Sequence, residues 1–249
     1  KQGKRISNDR INHVMTPLRQ ILKEGSYRFS YQTPFVDIEP LRVSKSEVDP
    51  FSLEEVQLII SNVRADFRNY YTVRFFSGMR TGEIDGLKWK YVDFERKLIV
   101  IRETIVDGYE EDTKTPCSVR EIQMSSIVYD ALKSQFEATG KLSKYVFCNR
   151  QGNPLDHRNV TKRVWYPLLR YLGLEKRRPY QTRHTAASLW LAAGENPEWI
   201  ARQLGHANTQ MLFRVYSRYV PNLTRQDGSA FERLLMNQLD VTKEAANDD

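Results

Sequence analysis

Between Val92 and Met124 the hydrophobic pattern changes period, and this switch constrains the fold more than any other feature of the chain. "VDF", "LIVIRETIV" and "REIQM" are short β-branched runs set between polar turns such as "DGYEEDTKTPCS", which predicts a small antiparallel sheet. On both sides the apolar spacing is helical. Upstream, Ser52 and Glu55 make a capping box ahead of Val56, Ile59, Ile60 and Val63. Tyr70 to Phe76 suggest a buried second helix ending near Gly78, and Thr81 can cap a short third. Downstream, the spacing predicts helices over 126–138, 158–172, 182–193, 197–204, 208–217 and 226–239, with a short strand at "YVFC". The expected fold class is mainly α with a small antiparallel β-sheet (α+β).

The first 50 residues read differently. Ile11, Val14, Met15, Leu18, Ile21 and Leu22 recur at helical spacing between Ser7 and Glu24, although Pro17 interrupts the run. This amphipathic helix has no evident partner and resembles the tail of another domain. "TPFVDIEPLRVSKSEVDPF" then carries Pro34, Pro40 and Pro50 without lasting periodicity, which suits an extended linker. A boundary near Asp49 follows, separating residues 1–48 from a main domain over 49–249. That domain should end in an amphipathic helix bearing Phe231, Leu234, Leu235 and Leu239 and an acidic tail, "KEAANDD". The chain opens on Lys1 rather than Met, so it reads as part of a longer protein.

Charge narrows the partner. An excess of 38 Lys and Arg over 31 Asp and Glu leaves a net charge of +7, which favours a polyanion. No apolar run approaches the roughly 18 residues that span a bilayer, so no membrane partner is expected. Cys117 and Cys148 form neither a metal spacing nor a disulfide framework, which suits a reducing, cytoplasmic compartment. His13, His157, His184 and His206 fall in no ligand spacing and no carboxylate cluster suggests a two-metal nuclease, so neither metal nor cofactor is expected.

Four short stretches carry chemistry. "SGMRTGEI" sets Arg80 at a junction between two helices with Glu83 one turn on, where backbone amides favour an anion. Lys114 sits at a hairpin tip in "DTKTP". "YQTRHTAAS" places Arg183, a planar bidentate phosphate ligand, beside His184 at a helix start. "QLGHANTQMLFRVYSRY" sets His206 after a glycine and Tyr216 ten residues later. Each alone has an ordinary alternative: a surface ion pair, a solvated turn lysine, a helix cap, a packed ring.

Taken in this order, "GMRTGE", "TKT", "YQTRHTAAS", "LGH" and "RVYSRY" resemble the catalytic domain of the tyrosine recombinases, also called phage integrases, from about Asp49 to Phe231. The resemblance implies a site-specific recombinase that integrates or excises a mobile element through a 3′-phosphotyrosine intermediate, without metal or ATP. It implies that residues 1–48 end the family's core-binding domain and that 49–249 form the catalytic domain. Arg80, Arg183 and His206 would stabilise the scissile phosphate, Tyr216 would attack it, and Lys114 would protonate the leaving 5′ oxygen. Glu83 and His184 would support them. One departure stands out, because Tyr180 occupies the position where the family usually has His. A phenol there can still donate a hydrogen bond to phosphate but cannot become a cation near neutral pH. Tyr219 is a second phenol near Tyr216, and the resemblance selects Tyr216.

Double-stranded DNA is thus the expected partner, with backbone contacts from Lys88, Lys90, Arg158, Lys162, Arg163, Lys176, Arg177 and Arg178. The resemblance also implies a homo-tetramer on DNA, assembled through the terminal helix, and a possible helper protein that sets direction. Competing functions are a type IB topoisomerase, a binding-only DNA module and a metal-dependent nuclease.

Overall fold

The computed structural model describes residues 6–35, 38–43, 48–106, 108–112 and 119–216, and the chain divides into two compact units, 1–47 and 48–249. In the first unit one helix, α1 (Asn8–Phe29), is capped by Ser7, whose hydroxyl accepts the Arg10 amide. It runs through Pro17 and buries none of its residues, leaving Val14, Leu18 and Ile21 exposed. The Asn12 side chain ties the following segment to the helix by bonds to both backbone groups of Leu41.

The second unit opens with α2 (Leu53–Asn62), and the reciprocal Ser52–Glu55 capping box is present. Next comes α3 (Ala65–Ser77), buried nearly all round from Tyr70 to Phe75. A helix that is enclosed on every face needs partners on every face. Tyr71 stacks on Trp165 at 5.2 Å, and Phe51 meets Phe75 and Trp165 edge-on. The next helix, α4 (Thr81–Asp85), begins one residue earlier than a Thr81 cap implies. Arg80 is at the N-cap position and its amide donates to Glu83.

Five strands follow: β1 (Val92–Asp93), β2 (Leu98–Ile101), β3 (Glu103–Val106), β4 (Tyr109–Asp112) and β5 (Arg120–Gln123). They form two antiparallel sheets, one ordered β1-β2-β5 and the other the β3-β4 hairpin. The run "LIVIRETIV" is therefore two strands broken at Arg102, and part of the expected polar turn, Tyr109–Asp112, is a strand paired with β3. Its charged side chains obscured that strand, because an edge hairpin need not alternate apolar and polar residues. Ile99 lies opposite Ile122, and the buried positions of β2 and β5 alternate with period two.

The chain then forms α5 (Ser126–Thr139) and reaches "YVFC", which makes isolated bridges at Tyr145 and Cys148 rather than a strand. The helix expected over 158–172 is α6 (His157–Val160), a π-helical turn over Thr161–Trp165, and α7 (Tyr166–Tyr171). Three helices complete the described fold: α8 (Gln181–Ala192), α9 (Pro197–Leu204) and α10 (Gln210–Tyr216). One apolar core unites α2–α5, the three-stranded sheet and α7, while a smaller one gathers Ala187, Leu191, Ile200, Leu204, Leu212 and Tyr216. The expected helix over 226–239, with Tyr219 and the tail, lies outside the described residues. No helix among the described residues is long and apolar enough to cross a membrane.

Candidate active site

Glycines set the site's backbone. Gly78 ends α3 at φ +64°, and a Cβ there would come within 2.9 Å of Leu204 and Trp190 side-chain atoms. This close approach lets the Gly78 carbonyl accept Arg183 Nη1 at 2.6 Å, while Arg183 Nη2 donates to the Leu204 carbonyl. Gly205 caps α9 in the left-handed region, and its carbonyl accepts Arg80 Nη2 at 3.2 Å. Two guanidinium groups from segments about 100 residues apart thus meet the consecutive carbonyls of Leu204 and Gly205, immediately before His206. Their charge sits where the C-terminal end of α9 is partially negative.

Glu83 is the buried counter-ion of this cluster. Its carboxylate accepts Arg80 Nη1 at 2.8 Å and two bonds from Arg120, at 2.9 and 2.8 Å. Burial alone would raise its pKa, but the Arg120 hydrogen bonds and charge, with those of Arg80, hold it down at about 2. Arg120 also donates to the Gln203 carbonyl at 2.7 Å, binding β5 to α9. The sequence motifs did not single out Arg120. The signal was available in the alternation of "REIQM", which puts an arginine on the inward face with Ile122, where a cation needs a carboxylate.

Arg183 is 3% exposed, and burial together with the charges of Arg80 and Arg120 lowers its pKa to about 10. His206 is half-buried beside it. Its Nδ1 finds no hydrogen-bond partner among the described residues, and burial with the Arg183 and Arg80 charges lowers its pKa to about 4. His184 is lowered to about 4 by burial and Arg183, and its Nδ1 lies 2.6 Å from the Tyr216 hydroxyl. Both imidazoles are therefore neutral at pH 7. Tyr216 is 2% exposed, with its ring in the smaller core. Tyr180 is exposed, its ring packing edge-on against His184 at 5.1 Å. Arg80, Glu83, Arg183, His184, His206 and Tyr216 are accordingly brought together, with Tyr180 at the rim. Lys114 lies outside the described residues.

The expected basic contacts divide into two groups. Lys88 is 6% exposed and its ammonium is held by Glu103 and Glu110, which corrects its assignment to a DNA-facing surface. Arg177 is corrected likewise. It pairs with Asp49 and Glu55, both at 2.7 Å, and covers the Phe51 ring, so it joins the start of the unit to the segment before α8. Lys90 is exposed but contacts Glu103 at 3.0 Å. Arg158, Lys162, Arg163, Lys176 and Arg178 are exposed. Arg158, Lys162 and Arg178 line an open cleft together with Thr81, which follows Arg80 in the chain, and Tyr180, which packs on His184.

Residues 50–222 match the phage integrase family. The chain is 28% identical over 227 residues to the prophage integrase IntR of Escherichia coli K12, covering 79% of this chain and 55% of that protein. It is 31% identical over 258 residues to the putative defective protein IntQ of the same organism, covering 92% and 64%. The chain thus spans less than two thirds of the length of these two relatives. Its fold resembles that of the Tn1549 transposon integrase in complex with a circular intermediate DNA, with a TM-score of 0.75 at 21% identity over 95% of this chain and 81% of that one. It also resembles a lambda integrase dimer bound to a core site, with a TM-score of 0.63 at 14% identity over 88% and 75%. With its two arginines converging before His206 and Tyr216 held by His184, the chain belongs to the phage integrase family.

Proposed function

We propose that this chain is the catalytic portion of a site-specific DNA recombinase that cleaves and rejoins strands through a 3′-phosphotyrosine intermediate, integrating or excising a mobile element. The observation that carries this reading is the convergence of Arg80 and Arg183 on the Leu204 and Gly205 carbonyls, next to His206. Each guanidinium has five N–H donors, more than these protein acceptors use, and together they suit the non-bridging oxygens of a phosphodiester. His206, whose Nδ1 finds no partner among the described residues, adds a donor or acceptor there.

The reaction breaks one phosphodiester and forms another. Tyr216 Oη attacks phosphorus, its proton passes to a base, and the 5′ oxygen leaves with a proton that Lys114 supplies. A neutral His184 with an unprotonated Nδ1 can accept a hydrogen bond from Tyr216 and hold it for attack. Arg80 and Arg183 stabilise the charge that grows on the phosphorane, and loss of one such donor typically costs about 2.7–4 kcal/mol. Tyr180 reaches the same phosphate from the rim. Because the linkage conserves the ester, a 5′ hydroxyl of another strand reverses the step without ATP.

Residues 1–48 would belong to a core-binding domain and 49–249 to the catalytic domain. DNA would follow the cleft lined by Arg158, Lys162 and Arg178, with further backbone contacts from Lys90, Arg163 and Lys176. A tetramer assembled through the terminal helix, and a helper protein that sets direction, complete the proposal.

The test is a nicked duplex with an end-labelled core site, incubated in chelator and run on a denaturing gel. A protein-linked band lost in Tyr216→Phe supports the reading. A band that survives assigns the nucleophile elsewhere, and activity abolished by chelator sinks the mechanism. Strand exchange between two defined sites separates a recombinase from a topoisomerase.

A further inference from the structure

Helix α3 carries a charge where its surroundings call for an apolar side chain. Arg74 lies between Val73 and Phe75 and is 2% exposed. Its guanidinium branches three ways: Nε donates to Thr182 Oγ1 at 3.2 Å, Nη1 to the Tyr70 hydroxyl at 2.7 Å and Nη2 to Thr81 Oγ1 at 2.6 Å. The Tyr70 hydroxyl donates onward to Asp85 Oδ1 at 2.7 Å, so a buried carboxylate lies one phenol away as counter-charge. Thr182 in turn donates to the Pro179 carbonyl at 2.8 Å, fixing the turn that starts α8.

The two threonines are adjacent to the two site arginines: Thr81 follows Arg80, and Thr182 precedes Arg183. Burying an ion pair costs desolvation that an apolar pair of the same volume avoids, so Arg74 and Asp85 contribute little to stability as such. A planar fork instead offers direction. It can hold three acceptors at set angles, which a lysine's point charge cannot do.

We propose that Arg74 is a positioning residue that sets the spacing of Arg80 and Arg183 by gripping Thr81 and Thr182 from inside the core. This rests on the proposed role of those arginines as the clamp on the scissile phosphate. A shift of a fraction of an ångström in either would relax the clamp while leaving both side chains in the site.

The experiment is single-turnover cleavage by Arg74→Lys, Thr81→Val and Thr182→Val on nicked duplexes carrying either a phosphodiester or a neutral methylphosphonate at the scissile position. Melting temperature and DNA affinity are measured in parallel. Diester cleavage should fall about tenfold or more in all three, with DNA affinity retained in Arg74→Lys and Thr182→Val, whose side chains are buried away from the cleft. The deficit should shrink on methylphosphonate, which presents less negative charge for the clamp to stabilise. If Arg74→Lys does not fold, Arg74→Met/Asp85→Asn, which strands no buried charge, should show the same pattern. Parental rates, or an equal deficit on both substrates, would overturn the proposal. If the parent protein forms no Tyr216 adduct, the recombinase reading fails separately. The Nε–Hε resonances of Arg80 and Arg183 then decide the positioning: shifts at both in the threonine variants support it, and no shift at either refutes it.

Discussion

At Glu83 two guanidinium charges converge on one buried carboxylate, and its behaviour sets the acid limit of the site. Its folded pKa, about 2, lies below the ordinary 4.5. Its stabilisation is therefore complete above pH 4.5 and is lost as the pH falls toward 2, on the order of 3 kcal/mol across that window. Glu83→Gln should cost about 3–5 kcal/mol at pH 7, because it leaves Arg120 buried without its counter-ion. Urea unfolding at pH 7 and pH 3 checks both statements: the variant should lose less between the two pH values than the parent. The two histidines work in the opposite charge state. With folded pKa values of about 4, His184 and His206 should titrate well below 6.5 in an NMR pH series, and DNA should raise the His206 midpoint by bringing a phosphate to it. A His206 midpoint that ignores DNA would remove it from the phosphate site. Arg80, Arg183, His206 and Tyr216 were legible as residues because each sits in a short motif. Arg120 and Arg74 were not, since a lone arginine in a strand or a buried helix acquires meaning only from its partner across the fold.

Elements position these side chains through their ends. The α3 terminus at Gly78, the α4 N-cap at Arg80 and the α9 C-cap at Gly205 all turn toward one another, so the site is built from helix termini and not from helix faces. Gly78→Ala should destabilise the protein by more than about 1 kcal/mol, since it combines a left-handed backbone with a Cβ 2.9 Å from Leu204 and Trp190 atoms. It should also slow cleavage, because the Gly78 carbonyl holds Arg183. Chemical denaturation and the adduct assay read the two effects separately, and a variant of parental stability would show that the backbone relaxes without strain. The helices themselves were readable from capping boxes and apolar spacing. The break at Arg102 and the strand at Tyr109–Asp112 were not, because pairing across a hairpin imposes register that the hydrophobic pattern of one strand does not contain.

Across the second unit, basic charge has two separate uses. Lys88 and Arg177 are themselves largely buried and pair with carboxylates of the fold, whereas Lys162 and Arg178 stand exposed on the rim of the cleft. Lys162→Ala and Arg178→Ala should each lower the slope of log K against log salt for DNA binding by about 0.9, with little change in folding stability. Lys88→Ala should do the reverse, lowering stability because Glu103 and Glu110 lose their shared cation while the salt slope holds. Salt titrations of DNA affinity separate the two groups, and equal slopes for all three variants would refute the division. The sequence by itself determined the mainly helical class, the small sheet, most helix positions and the motif residues, because propensity, capping and apolar period act over a few neighbours. Tertiary structure alone decided which arginines share Glu83, which lysines turn inward and how Arg74 reaches both arginine segments. Those outcomes depend on contacts between residues up to about 130 positions apart, and no local pattern encodes the distance between them.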